Sequence, residues 1–440
     1  MKKLLFISCI IAALVSCNKE TPAPSKTQTL TFDFKIHTTK AVKTNWEADD
    51  VIFVFFNGIN HSDDAKYLEL KYYGPDWVAT MKNGLTADDI NNAADKQLTA
   101  VHLPYGNSTQ VNKNGFAPYY KGWFLQVENA HYTINEGVVS ADLYMQIPPI
   151  GSGERFVQIF VENTNETAIK LYQDAIKPIT LRNINKTHGK LNYTEDNAGD
   201  ALEAYPTDGG RVFSGVLIAS EVGVKRTYDF SVDLPGTNTL YTCTKPDKTI
   251  SDNTAIKLAG ISNTAVWTAT KYVDLGLTSD GKALMWAECN LGASTPEDYG
   301  LYFAWGSPEG FAYGSSHDFS VGYEPFTDAA HNTLHGLWRM PTKDEFDNLI
   351  ENTTHPEFDP DNEVGMQFIN ISDASAKILL PAAGFRDNTL IINPGIWLCY
   401  WTSTRISTSP YSFNCDDAQD LFTSTDNGRY GQTIRPVFTK

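Results

Sequence analysis

Cysteine and positive charge are scarce in this chain of 440 residues. Six cysteines without a CxxC pair exclude a disulfide-built scaffold and offer no spacing for structural zinc. Thirty-five Lys and Arg residues against 52 Asp and Glu residues give a net charge of −17, and a surface of that sign repels nucleic-acid phosphates. We therefore expect no nucleic-acid partner. With 12% aromatic residues, the chain is expected to fold around buried apolar area.

One uncharged apolar run lies at residues 4–15, directly after two lysines. At about 12 residues it is too short to span a bilayer, so it predicts a secretory signal. It ends at residues 14–17 in the sequence LVSC, which resembles the lipobox of bacterial lipoproteins. The resemblance implies that residues 1–16 are a lipoprotein signal peptide and that Cys17 is acylated, for example with palmitate. The alternative is ordinary signal cleavage that leaves Cys17 as an incidental thiol.

Residues 17–26 are polar and contain two prolines, which predicts a lipidated spacer between the membrane and the folded part. Removing residues 1–16 takes away two lysines and no acidic residue, so the net charge changes from −17 to −19. The mature chain is thus expected to be held at a membrane by lipid alone.

Alternating apolar and polar residues predict β-strands through the first 265 residues. Residues 51–56 form a continuous apolar run, which predicts a strand that is buried on both faces. One helix is predicted within residues 86–96, because Thr86 can act as its N-cap. The alternation is clearest in residues 30–36, 139–145, 157–161 and 228–234.

The predicted domain division rests on changes in composition. Residues 191–210 are polar and end in two glycines, which predicts a long surface connection. After Trp267, tryptophan and glycine lie closer together. We therefore expect domains at residues 27–187, 188–265 and 266–440, of which the middle one is the smallest.

Short motifs are spread over residues 27–265. They are Lys40, Asn45-Trp46-Glu47, residues 51–56, Leu98-Thr99-Ala100, Pro104-Tyr105, residues 157–161 (VQIFV) and residues 212–215 (VFSG). Together they resemble the fimbrillin-like family of Bacteroidota surface lipoproteins. The resemblance implies tandem transthyretin-like β-sandwiches, a location at the cell outer membrane or in a fimbria, and a role in fimbriae.

Two features depart from the polymerising members of that family. Those members resemble one another in an arginine-directed cleavage that frees a groove for a donor strand. The first arginine here is Arg155, so an early trypsin-like site could only lie at a lysine, for example Lys40 or Lys43. The chain also continues into a further domain instead of ending in a free strand. Both features favour a tip or accessory subunit over a repeating shaft subunit.

A series of ordered blocks follows in residues 266–440. They are residues 272–277 (YVDLGL), 285–293 (MWAECNLGA), 296–300 (PEDYG), 302–306 (YFAWG), 338–342 (WRMPT), 380–386 (LPAAGFR), 400–403 (YWTS) and 435–437 (RPV). These blocks closely resemble the Fibrobacter succinogenes major paralogous domain. The resemblance implies an α+β, C-type-lectin-like fold whose long loops present a binding surface.

The residues also predict a helix in that domain. Thr342 and Glu345 are spaced as a capping box, in which each side chain accepts from the other residue's backbone amide. Phe346, Leu349 and Ile350 then share one helix face. A helix among short strands and long loops is typical of the α+β class.

Catalytic signals are weak. Arg339-Met340-Pro341-Thr342 with Glu345 resembles a block of the lectin-fold formylglycine-generating enzymes, but their GNVWEW-type companion block is absent. No G-x-S-x-G elbow positions a serine nucleophile. We therefore predict that the protein is not an enzyme.

Aromatic residues in the late loops are predicted to bind a ligand, because a ring face can pack against the C–H face of a sugar. These candidates are Trp397, Tyr400, Tyr411 and Tyr430. Four tryptophans of the ordered blocks are instead predicted to form the core: Trp286, Trp305, Trp338 and Trp401. Arg339 and Arg435 are predicted to hold buried or half-buried carboxylates.

No cofactor is expected, apart from a structural calcium ion that Asn414, Asp416 and Asp417 could hold, since they lie where lectin-like domains place calcium ligands. His331 and His335 have the spacing that puts two imidazoles on one helix face. The glutamate of H-E-x-x-H is missing between them, so two polar loop histidines are the preferred interpretation.

Three cysteines lie in the last domain, so one of them must stay unpaired within it. Cys399 and Cys415 could form a bridge in an oxidising compartment. Two buried free thiols explain the pair equally well, and both interpretations stay open at this point.

These patterns together predict a cell-surface lipoprotein that acts in adhesion or recognition, as a fimbrial tip or accessory subunit or as a separate surface binder. The expected partners are a membrane, other fimbrial subunits, and a glycan or protein on a host or bacterial surface. The first alternative is a glycan-capturing accessory protein of an outer-membrane uptake system. The second is a lectin-fold enzyme.

Overall fold

The computed structural model describes residues 29–38, 45–61, 65–103, 124–151, 153–162, 169–184, 191–197, 199–207, 212–321, 325–359, 364–416 and 419–440. Of these described residues, 51% lie in strands and 6% in helices, which confirms the prediction of a mainly β protein. No helix in this part of the chain has the length and apolar character needed to cross a membrane. The predicted lipidation site, Cys17, and the two candidate processing lysines, Lys40 and Lys43, lie outside the described residues.

The elements are numbered along the chain. The first fifteen strands are β1 (Thr31–Thr38), β2 (Val51–Phe56), β3 (Tyr67–Tyr72), β4 (Trp77–Lys82), β5 (Gln97–His102), β6 (Leu125–Asn135), β7 (Val138–Met145), β8 (Arg155–Glu162), β9 (Ile169–Tyr172), β10 (Ile176–Ile184), β11 (Leu191–Glu195), β12 (Leu202–Thr207), β13 (Val212–Ala219), β14 (Lys225–Asp233) and β15 (Thr239–Thr249). The later strands are β16 (Ala255–Leu258), β17 (Thr268–Ser279), β18 (Lys282–Ala287), β19 (Leu301–Tyr302), β20 (Phe311–Ala312), β21 (Thr353–Thr354), β22 (Gly365–Asn370), β23 (Lys377–Pro381), β24 (Phe385–Asp387), β25 (Leu390–Ile392), β26 (Leu398–Ile406), β27 (Ser409–Cys415), β28 (Leu421–Thr425) and β29 (Val437–Thr439). The helices are α1 (Ala87–Asn91), α2 (Ala329–Leu334) and α3 (Lys343–Asn352).

The chain forms two compact units, each assembled from several stretches. Unit 1 comprises residues 1–168, 174–226 and 247–260, and unit 2 comprises residues 169–173, 227–246 and 261–440. The predicted boundary between residues 187 and 188 falls in the connection between β10 and β11, which pair with each other. The division into three domains stays a prediction.

Unit 1 contains a seven-stranded sheet in the order β1, β7, β6, β5, β2, β3, β4. All six residues of β2 are buried, as its continuous apolar run predicts. β1 lies at one edge and pairs in parallel with β7. Its Phe32 and Phe34 are only 5% and 7% exposed, because alternate side chains of a strand point to the same face.

A second sheet of unit 1 is built around β13, which pairs in antiparallel fashion with β8 along its full length. β10 and β12 also pair with β13, and β16 adds to β8 in parallel. Side chains from both sheets enter one hydrophobic core, for example Phe53 from the first sheet and Ile179, Val216 and Ile218 from the second. A core shared between two sheets is the arrangement of a β-sandwich.

The prediction of a long surface connection at residues 191–210 is wrong. This segment contains β11, which pairs with β10, and β12, which pairs with β13. Polar residues form strands here because a neighbouring strand satisfies their backbone groups, and composition does not reveal that neighbour. The helix predicted within residues 86–96 does begin after Thr86, in a capping box with Asp89, but it ends at Asn91.

Unit 2 has a main sheet path through β9, β14, β15, β17, β18 and β29, and four small sheets of two or three strands. Helix α3 begins after Thr342, and the capping box with Glu345 is present as predicted. Phe346 of α3 stacks on Phe413 of β27, with ring centroids 4.5 Å apart. The four core tryptophans are confirmed, since Trp286, Trp305, Trp338 and Trp401 are at most 4% exposed.

Candidate ligand-binding site

A cavity of about 270 Å³ opens beside the small antiparallel sheet of β26, β27 and β28 in unit 2. Its lining residues are Trp397, Asn414, Cys415, Asp416, Phe422, Ser424, Thr425 and Asp426. We call it the Trp397 cavity. It brings together Trp397, predicted as a ligand-stacking residue, with Asn414 and Asp416, predicted as calcium ligands.

The apolar side of the cavity is aromatic. Trp397 is half-buried, and its ring lies nearly parallel to that of Phe385 at a centroid distance of 6.2 Å. Phe385 in turn packs against Tyr430 at 4.9 Å, so the indole is supported from behind. Phe422 is 39% exposed at the rim. The buried indole N–H of Trp397 has no hydrogen-bond partner among the described residues.

The polar side of the cavity follows from strand register. Asn414 is paired with Phe422 and Ser412 with Ser424, so these four side chains share one face of the sheet. The amide Nδ2 of Asn414 donates to Ser412 Oγ at 2.8 Å and to Ser424 Oγ at 3.3 Å. These contacts hold the amide in one orientation, which preorganises the polar wall.

Asp426 is an acidic residue of the cavity lining. Burial raises the pKa of its carboxyl, although hydrogen bonds offset part of this effect. The carboxyl accepts from Gln432 Nε2 at 2.6 Å and from the backbone N–H of Asn427 at 2.7 Å. Burial outweighs these hydrogen bonds, so the pKa of Asp426 is raised and its carboxyl stays protonated to a higher pH than a solvent-exposed aspartate does.

The other aromatic candidates lie elsewhere, and one of them requires a correction. Tyr400 is fully buried in the core, and its hydroxyl donates to Pro381 O at 2.8 Å, so its assignment as a ligand-facing residue is wrong. Neighbouring residues of a strand face opposite sides, and both faces of β26 are buried from Leu398 to Thr402, so Tyr400 and Trp401 are both in the core. Tyr411 and Tyr430 are half-buried and are absent from the lining of the Trp397 cavity.

The predicted calcium set is only partly described. Asn414 and Asp416 line the same cavity, whereas Asp417 lies outside the described residues. His331 on α2 and His335 at its C-terminal end instead approach Asp229, at 3.6 and 3.9 Å. In the parts of the chain that the structure covers, no group of three or more His, Cys, Asp or Glu side chains is arranged to hold a metal ion.

Register also decides between the two interpretations of the cysteine pair. Cys399 pairs with Asn414, and Cys415 pairs with Leu398, so the two thiols point to opposite faces of the sheet. Both are free, as are Cys243 and Cys289. Burial raises the pKa of Cys415 to about 12 and also raises that of Cys399.

Thiol labelling checks this arrangement. In a folded Cys17→Ser chain that begins at residue 17, we expect Cys289 to react first with Ellman's reagent, because it is half-buried and the other three thiols are buried. All four should react after unfolding in urea without a reductant. Two reactive thiols in the unfolded chain would instead show a disulfide.

Sequence reasoning identified Arg339 and Arg435 as structural residues, but only one of the two assignments is confirmed in detail. Arg339 binds the buried carboxylate of Glu345, as predicted. Among the described residues Arg435 forms no ion pair with a carboxylate: it donates to Asn290 Oδ1 and to backbone carbonyl oxygens. Sequence reasoning also missed Phe422, Ser424 and Asp426, which line the Trp397 cavity but belong to no motif.

Comparison with known proteins finds only distant structural likenesses. No family model and no curated protein matches the sequence. A fimbrial protein from Bacteroides ovatus ATCC 8483 is 9% identical, with 94% of this chain and 100% of that chain covered and a TM-score of 0.26. A candidate adhesin from the same organism is 11% identical, with 57% and 99% covered and a TM-score of 0.19. Neither likeness is close enough to define the family or the function of this chain.

Proposed function

We propose that the protein is a cell-surface lipoprotein that acts in adhesion or recognition without catalysis, and that the Trp397 cavity is its ligand-binding site. The observation that carries the proposal is that one open cavity is lined by a half-buried indole, Trp397, and by an amide held in one orientation, Asn414. An apolar wall opposite a few oriented polar groups is the usual composition of a small-ligand site. A surface glycan offers both an apolar C–H face and hydroxyl groups.

The location follows from the N-terminal motif. Acylation of Cys17 would attach the chain to the outer membrane, and the spacer at residues 17–26 would hold the folded part outside it. A role as a fimbrial tip or accessory subunit is the finer part of this proposal. It is supported by β1, an edge strand paired in parallel, which a donor strand from another subunit could replace. Immunogold labelling of fimbriae that places this protein along the whole shaft, or nowhere, would contradict that part.

Replacing Trp397 by alanine is expected to lower ligand affinity at least about tenfold, because truncating a central aromatic anchor removes about 2 kcal/mol or more of binding energy and about 1.4 kcal/mol is already tenfold. The measurement is a glycan array with the Cys17→Ser chain, followed by calorimetry with the strongest hit. Trp397→Phe should retain part of the affinity, since it keeps a smaller aromatic ring that can still stack.

The matched control is Tyr144→Ala in unit 1, which removes another aromatic ring that is 59% exposed. It should leave the affinity unchanged.

Asn414 and Asp416 carry oxygen atoms of the kind that bind calcium, so the titration is repeated with EDTA. We expect equal affinity because no cofactor is proposed. Unchanged binding in Trp397→Ala would contradict the assignment of the cavity. Tight binding to a single dietary polysaccharide would favour the glycan-capture alternative.

A further inference from the structure

A second cavity of unit 2, of about 590 Å³, lies where β17, α3 and the loop after β22 meet. Its lining residues are Leu275, Gly276, Leu277, Thr278, Asn348, Asn352, Asn370, Ile371 and Ser372. We call it the asparagine groove. It shares no lining residue with the Trp397 cavity.

The groove is polar but uncharged. None of its nine lining residues has an ionisable side chain, in a chain of which 20% of residues are charged. Three side-chain amides and two hydroxyls supply the polar groups, and each amide carries both donors and acceptors. No lining residue offers a counter-charge, so the groove suits a neutral polar ligand; the adjoining carboxylate of Asp274 already accepts from the backbone N–H of Gly276, at 2.8 Å.

The amides are held in fixed orientations. Asn348 donates from Nδ2 to Thr278 O at 2.9 Å, and its Oδ1 accepts from Asn352 Nδ2 at 2.8 Å. Asn370 accepts with Oδ1 from the backbone N–H groups of Ser372 and Asp373, at 2.7 and 3.1 Å. Groups ordered before binding lose little entropy when a ligand arrives.

The backbone of β17 is irregular at this place. The register with β18 shifts between Asp274 and Thr278, so residues 275–277 interrupt the ladder. Gly276 has a φ of +73°, and a Cβ there would lie 2.8 Å from Asn370 Nδ2. The close approach of backbone and amide therefore requires glycine. Ile371, 68% exposed, adds an apolar surface at the rim.

We infer that the asparagine groove is a second binding site, and that its ligand is a neutral carbohydrate. Sugar hydroxyls donate and accept at once, which matches side-chain amides, and the C–H face of a sugar ring can pack on Ile371. Acidic glycans are disfavoured because the net charge of the chain is −17. This inference goes beyond the proposed function, since it uses none of the residues of the Trp397 cavity.

The test uses the Cys17→Ser chain that also carries Trp397→Ala, probed with an array of neutral and acidic oligosaccharides. We expect neutral glycans to bind and acidic ones to bind at least about tenfold more weakly. Asn352→Ala should lower the affinity for the strongest neutral glycan about fivefold, by removing a hydrogen-bonding group from an exposed helix end. Asn352→Ala with Ile371→Ala should lower it at least about tenfold.

The controls are Asn332→Ala, an asparagine on α2 whose amide contacts a backbone carbonyl, and Leu390→Ala, a residue 64% exposed on β25. Both should change the affinity less than about twofold. Absence of neutral-glycan binding in the Trp397→Ala chain, or equal losses in the controls, would overturn the inference. If the Trp397 substitution changes nothing while the groove variants lose binding, the assignment of the Trp397 cavity fails and the groove stands.

Discussion

Replacing Arg435 by methionine is expected to lower the free energy of unfolding by about 4 kcal/mol or more, because it removes the donor from four acceptors at once, two of them buried and two half-buried. The side chain is 0% exposed. Its Nε donates to Asn290 Oδ1 at 2.9 Å, and its Nη1 donates to the carbonyl oxygens of Ala287 at 3.0 Å and Glu288 at 2.6 Å. Its Nη2 donates to Leu379 O at 2.7 Å. The guanidinium thus joins segments that are far apart in the chain.

Urea unfolding followed by circular dichroism measures this loss. Arg435→Lys should recover little of it, since an ammonium cannot reproduce the planar fork of donors, and burial already lowers the pKa of the guanidinium. Arg405→Met is the matched control: Arg405 is exposed and lies 5.6 Å from the ring of Trp305, a contact expected to contribute about 1 kcal/mol or less. A loss below about 1 kcal/mol in Arg435→Met would contradict this account.

Replacing Arg339 by methionine is expected to lower the free energy of unfolding by about 3–5 kcal/mol, because it leaves a buried carboxylate without its counter-ion. Glu345 is 2% exposed. Arg339 Nη1 donates to Glu345 Oε2 at 2.7 Å, and Nη2 donates to Oε1 in a second, closer contact. The same carboxylate accepts from the backbone N–H of Thr342 at 2.8 Å, so the pair also secures the start of α3.

The stability that Arg339→Met loses is expected to depend on pH. Burial alone would raise the pKa of Glu345, but the hydrogen bonds and charge of Arg339 hold it below the ordinary value of 4.5. Stability from this group is therefore present above pH 4.5 and is lost as the pH falls through the lowered value. Without Arg339, burial raises the pKa of the Glu345 carboxyl, so the variant regains stability by protonation at a higher pH than wild type loses it. The difference in stability between wild type and variant should therefore shrink as the pH falls from 7 through the lowered pKa of the wild-type carboxyl.

The double variant Arg339→Met with Glu345→Gln separates charge from packing. Glutamine at the third helical position preserves the capping box without a charge, so much of the lost stability should return. If Arg339→Met alone unfolds at the same urea concentration as wild type at pH 7, the role given to the Arg339–Glu345 pair is contradicted. A difference that stays constant on acidification would contradict the assignment to Glu345.

Local patterns predicted several elements well. The capping box at Thr342 and the apolar spacing after it predicted α3, because a helix start depends on residues within one turn. Residues 51–56 predicted a fully buried strand, because a run of six apolar residues has no polar face to expose to water. The tryptophans of the ordered blocks were assigned to the core and are buried there.

Long-range pairing accounts for the errors. The polar composition of residues 191–210 predicts a connection, because it does not reveal that β10 and β13 satisfy the backbone groups of β11 and β12. Tyr400 was assigned to a binding surface, although its neighbours in space, Pro381 and Asn290, place it in the core. Arg435 was expected to meet a carboxylate and meets neutral oxygens instead.

The sequence by itself determined a mainly β, acidic, cysteine-poor chain, the helix starts and the core tryptophans, because composition and caps act within a few residues. Tertiary structure alone decided which side chains meet at the two candidate binding sites. The register of β26, β27 and β28 put Asn414 beside Phe422 and Ser424 and kept Cys399 and Cys415 apart. The approach of α3 to the irregular part of β17 created the asparagine groove. Cavities depend on which distant segments meet, and a single strand does not encode its partner locally.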